Sequence, residues 1–213
     1  GIIPRIEGAI GIEEGTVRDI ALISRVGKAI CFTVKQIQAD SSGRLYAELS
    51  RRNAQEKCIS EYLSLKTPGS VIDARITHLE TFGAFCDIGC GLVALLPIDA
   101  ISVSRISHPK DRFSVGEDIK VIIKTVDNSF RITLSHKELL GTWEENVINY
   151  EEGSKVKGIV REVEKQGNGI FIELRPNLVG LAEFKEGYEY GQTVDVFIKK
   201  IVKDKRKIKL LII

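Results

Sequence analysis

The sequence predicts an all-β fold of small five-stranded barrels in tandem, joined by short helices and with an incomplete first unit. Three observations predict it: a Gly-led strand pattern that occurs three times, a longer pattern that occurs twice, and helical spacing confined to the segments between them. Val26–Ile37, Val115–Val126 and Tyr190–Ile201 align without gaps. Each sets a Gly turn before a β-branched, partly alternating run, which is the pattern of a turn entering a half-buried strand. A polar turn and a second short strand follow each one, at Arg44 to Ser50, Arg131 to Ser135 and Lys207 to Ile212. The same hairpin is therefore written three times.

The second and third copies also share a front half. Pro68–Thr77 matches Glu152–Arg161, Phe82–Ile88 matches Asn168–Leu174, and the apolar strands Gly91–Pro97 and Asn177–Glu183 follow. Five short strands with Gly-marked bends, in about 65 to 75 residues, predict a closed Greek-key barrel of the OB type, whose closure removes exposed strand edges. The opening run Gly1–Pro4 matches Ala94–Pro97, so the first unit is expected to lack its first two strands. That opening, with the absence of methionine, predicts a chain that begins inside a fold. The expected units are an incomplete barrel with its linker helix over 1–63, a complete barrel over 64–141, and a linker helix with a third barrel over 142–213.

Between units the spacing turns helical. Ala54, Cys58 and Tyr62 lie four apart within Asn53–Leu65, and Leu139, Trp143 and Val147 do so within His136–Tyr150. Both segments read as short amphipathic helices, with Trp143 expected to pack between two barrels.

Composition narrows the function classes. The chain has 213 residues, 43% apolar and 28% charged, which is enough Val, Ile and Leu for real cores and argues against disorder. With 31 basic against 29 acidic residues the net charge is only +2, so a polyanion would be held by local patches and not by a global field. Cys31, Cys58, Cys86 and Cys90 form no C-x-x-C pair, and His78, His108 and His136 have no metal-ligand spacing to them, so no metal and no cofactor are expected. Cys86 and Cys90 flank a Gly-containing turn that would permit a disulfide, but reduced thiols in a cytoplasmic protein are the simpler reading. No apolar run approaches 18 residues, so no membrane partner is expected. No Ser-His-Asp set, phosphate-cradling Gly loop or paired-carboxylate arrangement stands out, so the chain is not expected to be an enzyme or to take a small-molecule substrate.

The run Thr81–Gly89, with Val115–Ile119 and Arg131–Lys137 downstream, resembles the ribosomal protein S1 domain family. All five parts of the family pattern occur in order in the second unit: a Gly near the first strand, aromatic-Gly-x-Phe, Gly-Leu-Val, Val-Gly-x-x-Val (with Ile119 in its last place) and Arg-Ile-x-Leu-Ser. The third unit matches in outline and the first only from its third strand onward, and the tandem arrangement is similar to S1-like proteins of bacteria. The resemblance implies that single-stranded RNA, such as messenger RNA, lies across the barrel face, and it implies a role in translation with the small ribosomal subunit as a partner.

Carried over residue by residue, the resemblance nominates Phe82 and Phe85 as stacking residues, with Asp127 and Arg131 beside them. The family's usual His is Pro97 here. In the third unit the first aromatic position is Asn168 and the Asp position reads as Lys203, while Phe171 and Lys207 remain. An exposed ring on a rigid strand gives sequence-tolerant affinity because every base has a π face, and phosphates need cations alongside, for which Arg75 and Arg131 are candidates in the second unit. Phe82 and Phe85, three apart, cannot both project alike from a regular strand, so Gly83 is expected to bend the chain. Seven of the eleven residues from Lys199 to Lys209 are basic. They read equally as a solvated hairpin tip and as a phosphate contact. The connection Ile98 to Ser114 carries Arg105, His108, Lys110, Arg112 and Phe113, and His108-Pro109 marks a turn. Two competing readings are a protein-interaction scaffold whose barrels dock to the ribosome or another complex, and the accessory RNA-binding region of a ribonuclease.

Overall fold

Alternation of apolar and polar residues over short strands sets the architecture. The computed structural model describes residues 1–127, 131–164 and 169–213. Its first unit holds a short helix α1, Ile20–Ile23, and a hairpin of β1, Thr33–Ala39, and β2, Leu45–Ser50. The hairpin turn is built by Asp40, whose Oδ1 accepts from the N–H groups of Ser42 and Arg44 at 2.9 Å each. The opening run pairs with this hairpin: Ile2 bridges Glu48 in parallel, with Ile2 N donating to Ala47 O and Leu49 N donating to Ile2 O, both at 2.8 Å. The first unit thus holds an open two-stranded sheet with the opening run bridged to it.

Helix α2, Arg51–Glu61, follows directly, capped by Ser50 Oγ, which accepts from Asn53 N at 2.8 Å. It starts two residues earlier than the spacing predicts and ends in a 3₁₀ turn at Leu63–Leu65. Arg51 joins the first unit to the second, donating to Gly8 O at 3.0 Å and Gly91 O at 3.4 Å.

The second barrel comprises β3, Val71–Glu80; β4, Gly83–Asp87; β5, Val93–Pro97; β6, Asp118–Val126; and β7, Ile132–Ser135, closed in the order β3-β4-β5-β7-β6. Every pairing is antiparallel except β5 with β7, the same parallel relation that Ile2 has to β2 in the first unit. Ile72, Ala74 and Ile76 alternate inward on β3, and Ala84, Cys86, Ala94, Leu96, Val121, Ile123 and Leu134 from the other strands join them in the core. Each buried Leu or Ile stabilises the fold by about 1.5–3 kcal/mol. The one long strand pairs with β6 from Val71 to Arg75 and with β4 from Arg75 onward, with a register shift between Ile76 and His78.

The second linker departs from the expected single helix. It is a 3₁₀ turn, Lys137–Leu140, then Gly141 at φ +82°, then α3, Trp143–Val147. Gly141, at positive φ with an extended ψ of 166°, takes a conformation that L side chains rarely adopt and breaks the turn, and Thr142 starts the next helix by a reciprocal cap with Glu145. Trp143, on α3, packs against the core of the third barrel. That barrel comprises β8, Lys155–Glu164; β9, Gly169–Arg175; β10, Leu178–Ala182; β11, Thr193–Val202; and β12, Lys207–Ile212, closed in the order β10-β12-β11-β8-β9.

The seam between the barrels is filled by the β5–β6 connection. Ser104 N donates to Pro176 O at 2.9 Å, Val103 N to Asn177 Oδ1 at 3.1 Å, and Tyr190 OH to Asp111 Oδ2 at 2.6 Å. Asn177 in turn donates to Lys137 O at 2.7 Å and Gly141 O at 2.9 Å, which ties the linker into the same seam. His108 acts within its turn, its Nδ1 accepting from Lys110 N at 3.1 Å.

Candidate nucleic-acid interface

On β4 the alternation is strict: Ala84 and Cys86 face the core, so Phe85 faces out and is half-buried. Phe82 lies in the turn before the strand and escapes that alternation; it is 54% exposed. Its carbonyl accepts from Ile98 N at 3.0 Å, which fixes the turn. Gly83 is needed beside it because a Cβ there would stand 2.5 Å from Leu96 O on β5. The two rings meet edge to face, with centroids 6.0 Å apart at 85°.

A third ring extends the pair. The imidazole of His78 stacks on Phe85 at 6.4 Å and 28°, held by Glu80 at 2.7 Å from its Nε2. Strand register places His78, Phe85, Leu95, Thr133 and Thr125 in one row across all five strands. Sequence reasoning missed His78 as a site residue, because the bulge at Thr77 brings it opposite Phe85 and no spacing announces a bulge.

The nominated cations of the second barrel lie apart from one another. Arg131, 81% exposed, pairs with Asp127 at 3.1 Å across the base of the β6–β7 hairpin. Arg75 is turned to Asp118 at 3.5 Å, on the half of β3 that pairs with β6. Pro97, at the family's His position, lies opposite Gly83 at the end of β5.

In the third barrel the equivalent row is Glu162, Phe171, Leu181, Lys209 and Lys200. The aromatic position is kept, while Glu replaces His and two lysines replace two threonines. Phe171, Leu181, Arg206, Lys207 and Lys209 line a cavity of about 600 Å³ on this face. Lys207 stands opposite Val202 in register, so Val202 and not Lys203 takes the place of Asp127. Lys203 is exposed and opens the 3₁₀ turn that follows β11. Asn168 lies outside the described residues. The four cysteines are free, so Cys86 and Cys90 form no disulfide; Cys86 is a core residue whose thiol burial pushes up to about 12.

The class defined by this geometry is a chain of tandem OB-type barrels that turn rings and lysines outward from one face. Residues 66–137 match the model of the S1 RNA binding domain, and the second barrel belongs to that family. Beyond that barrel, the chain is similar to the small ribosomal subunit protein bS1 of Staphylococcus aureus strain MRSA252, 30% identical over 203 residues, which covers 87% of this chain and 50% of that protein. It is also similar to the bS1 homolog of Bacillus subtilis strain 168, 30% identical over 202 residues, covering 86% of this chain and 51% of that one. The chain spans about half the length of the curated relatives it matches. Among solved structures, GSP13 from Bacillus subtilis is 24% identical with a TM-score of 0.34, over 36% of this chain and 60% of that one. A multidomain protein with nucleic acid binding domains from Streptococcus pneumoniae is 17% identical with a TM-score of 0.33, over 83% of this chain and 58% of that one. No helix among the described residues is long and apolar enough to cross a membrane.

Proposed function

We propose that this chain binds single-stranded RNA on the outward faces of its second and third barrels and serves translation, in the cytoplasm, as part of an S1-like protein that associates with the small ribosomal subunit. The observation that carries the reading is the exposed Phe82 set edge-on to an outward Phe85 on a barrel of the S1 family. In this reading unpaired bases stack on Phe82, Phe85 and His78, and on Phe171 in the third barrel. Phosphates are met by Arg131 beside Asp127, and by Lys203 and Lys207. Arg75 has a lesser part, since it must leave Asp118, although an exposed ion pair of this kind holds it by only about 0–1 kcal/mol. No catalytic step is assigned to any residue.

A titration of labelled oligouridine at several salt concentrations, beside an RNA duplex of equal length, tests the reading. The expected result is preference for the unpaired strand and an affinity that falls as salt rises. Equal affinity for the duplex, or none for either, would remove it.

A second reading, protein docking through the first unit, is favoured by one observation. Phe32, Val34, Ile37 and Leu45 are exposed on and beside its open two-stranded sheet.

A further inference from the structure

The cavity on the third barrel is not made by that barrel alone. Val103 and Arg105, from the β5–β6 connection of the second barrel, form part of its wall. Both residues preceding Arg105 are hydrogen-bonded to the third barrel, Val103 through Asn177 and Ser104 through Pro176, so the connection is held against that face by its own backbone. Arg105 Nη1 donates to both carboxylate oxygens of Glu162, at 2.8 and 2.9 Å, and its side chain is 76% exposed. Glu162 is the cross-strand neighbour of Phe171.

A carboxylate beside the ring is unfavourable on a surface that receives phosphates, and Arg105 neutralises it. Its exposed guanidinium keeps donors to spare for a second anion, because it carries five N–H groups and the carboxylate takes few of them. Strand register sets Lys209 on the far side of Phe171 and Leu181 from Glu162, and Lys207 and Arg206, the latter paired with Glu144 at 2.8 Å, also line the cavity. Cations on two sides of an apolar floor made by Phe171 and Leu181 suit one nucleotide with its base on the floor and its phosphate at the rim.

We propose that the third barrel's site for single-stranded RNA is a composite of two barrels, in which Arg105 of the second contacts the phosphate of a nucleotide seated on Phe171 of the third. This rests on the RNA-binding reading above. It predicts that the third face works fully only while the seam is closed, and that the strand passes across the seam from one barrel to the next.

The test uses the intact chain and a labelled oligouridine of about 12 nucleotides, within the span of one to two OB barrels. Arg105→Ala is expected to weaken binding several-fold and to flatten the salt slope by about 0.7, the contribution of one phosphate of a single strand. Glu162→Gln breaks the same ion pair but keeps the guanidinium, and is expected to bind as well as the parent or more tightly. Wild-type affinity and slope in Arg105→Ala would overturn the composite site, and so would equal weakening by both variants, which would mean that the pair only docks the barrels. No binding by the parent chain would overturn the RNA reading as well, so the two failures are distinguishable.

Discussion

Glu173 and Arg161 meet at 2.6 Å in the seam between the second and third barrels, with Glu173 only 5% exposed. Ser104 Oγ and Arg112 reach the same carboxylate from the second barrel, both at 2.5 Å. Burial is the largest influence on Glu173 and would raise its pKa. The hydrogen bonds of Arg161, Ser104 and Arg112 outweigh it together and hold the carboxyl below its ordinary range. A buried charge persists only when it is paired in this way, and the pairing also fixes how the two barrels face each other.

The pH dependence follows from that direction. A carboxyl whose pKa is depressed by folding contributes stability above its unfolded value, about 4.3, and that contribution is lost as pH falls through the folded value. The parent protein should therefore lose stability on acidification below about pH 4 through this seam. Glu173→Gln should cost about 3–5 kcal/mol at neutral pH, because Arg161 and Arg112 are left without their anion. Urea unfolding of both proteins at neutral and acid pH checks it, and an unchanged midpoint in the variant would contradict it.

Gly83→Ala should destabilise the second barrel by about 1–3 kcal/mol, the usual cost of forcing an extra carbon into a packed site. The added Cβ meets the backbone oxygen of Leu96, which cannot swing aside as a side chain tip would. Because Gly83 adjoins Phe82, RNA affinity should fall in the same variant. Thermal unfolding and a parallel titration measure the two effects.

Cys86 should be the last of the four thiols to react with a thiol reagent in the folded chain. It is fully buried and its thiol is pushed up to about 12, whereas Cys31 is exposed. Counting thiols released with time, native against denatured, shows whether one remains protected until unfolding.

The barrels were legible because a Gly turn followed by alternating β-branched residues survives in each copy, and Gly1–Pro4 carries enough of the third-strand pattern to place Ile2 beside β2. The linker is not legible at Gly141: the four-residue spacing of Leu139, Trp143 and Val147 persists across the break that this positive-φ glycine makes between the 3₁₀ turn and α3. The chosen rings could be named from the family pattern, but their partners could not. His78 reaches Phe85 through a bulge, Val202 replaces Lys203 opposite Lys207 by one step of register, and Arg105 meets Glu162 across 57 residues of chain. The first and the third are tertiary relations that composition and spacing do not encode, whereas the second was within reach of the gapless alignment, which sets Val126 on Ile201 and so Asp127 on Val202.

On the proposed RNA-binding face, the ring of Phe82 should receive a base. Oligouridine affinity of the intact chain, compared with Phe82→Ala and Phe82→Tyr, tests it most directly. Loss of one stacked base, about 1–3 kcal/mol, predicts a fall of about 5- to 150-fold in the alanine variant and near-parent binding in the tyrosine variant. Equal affinity in all three proteins would contradict it.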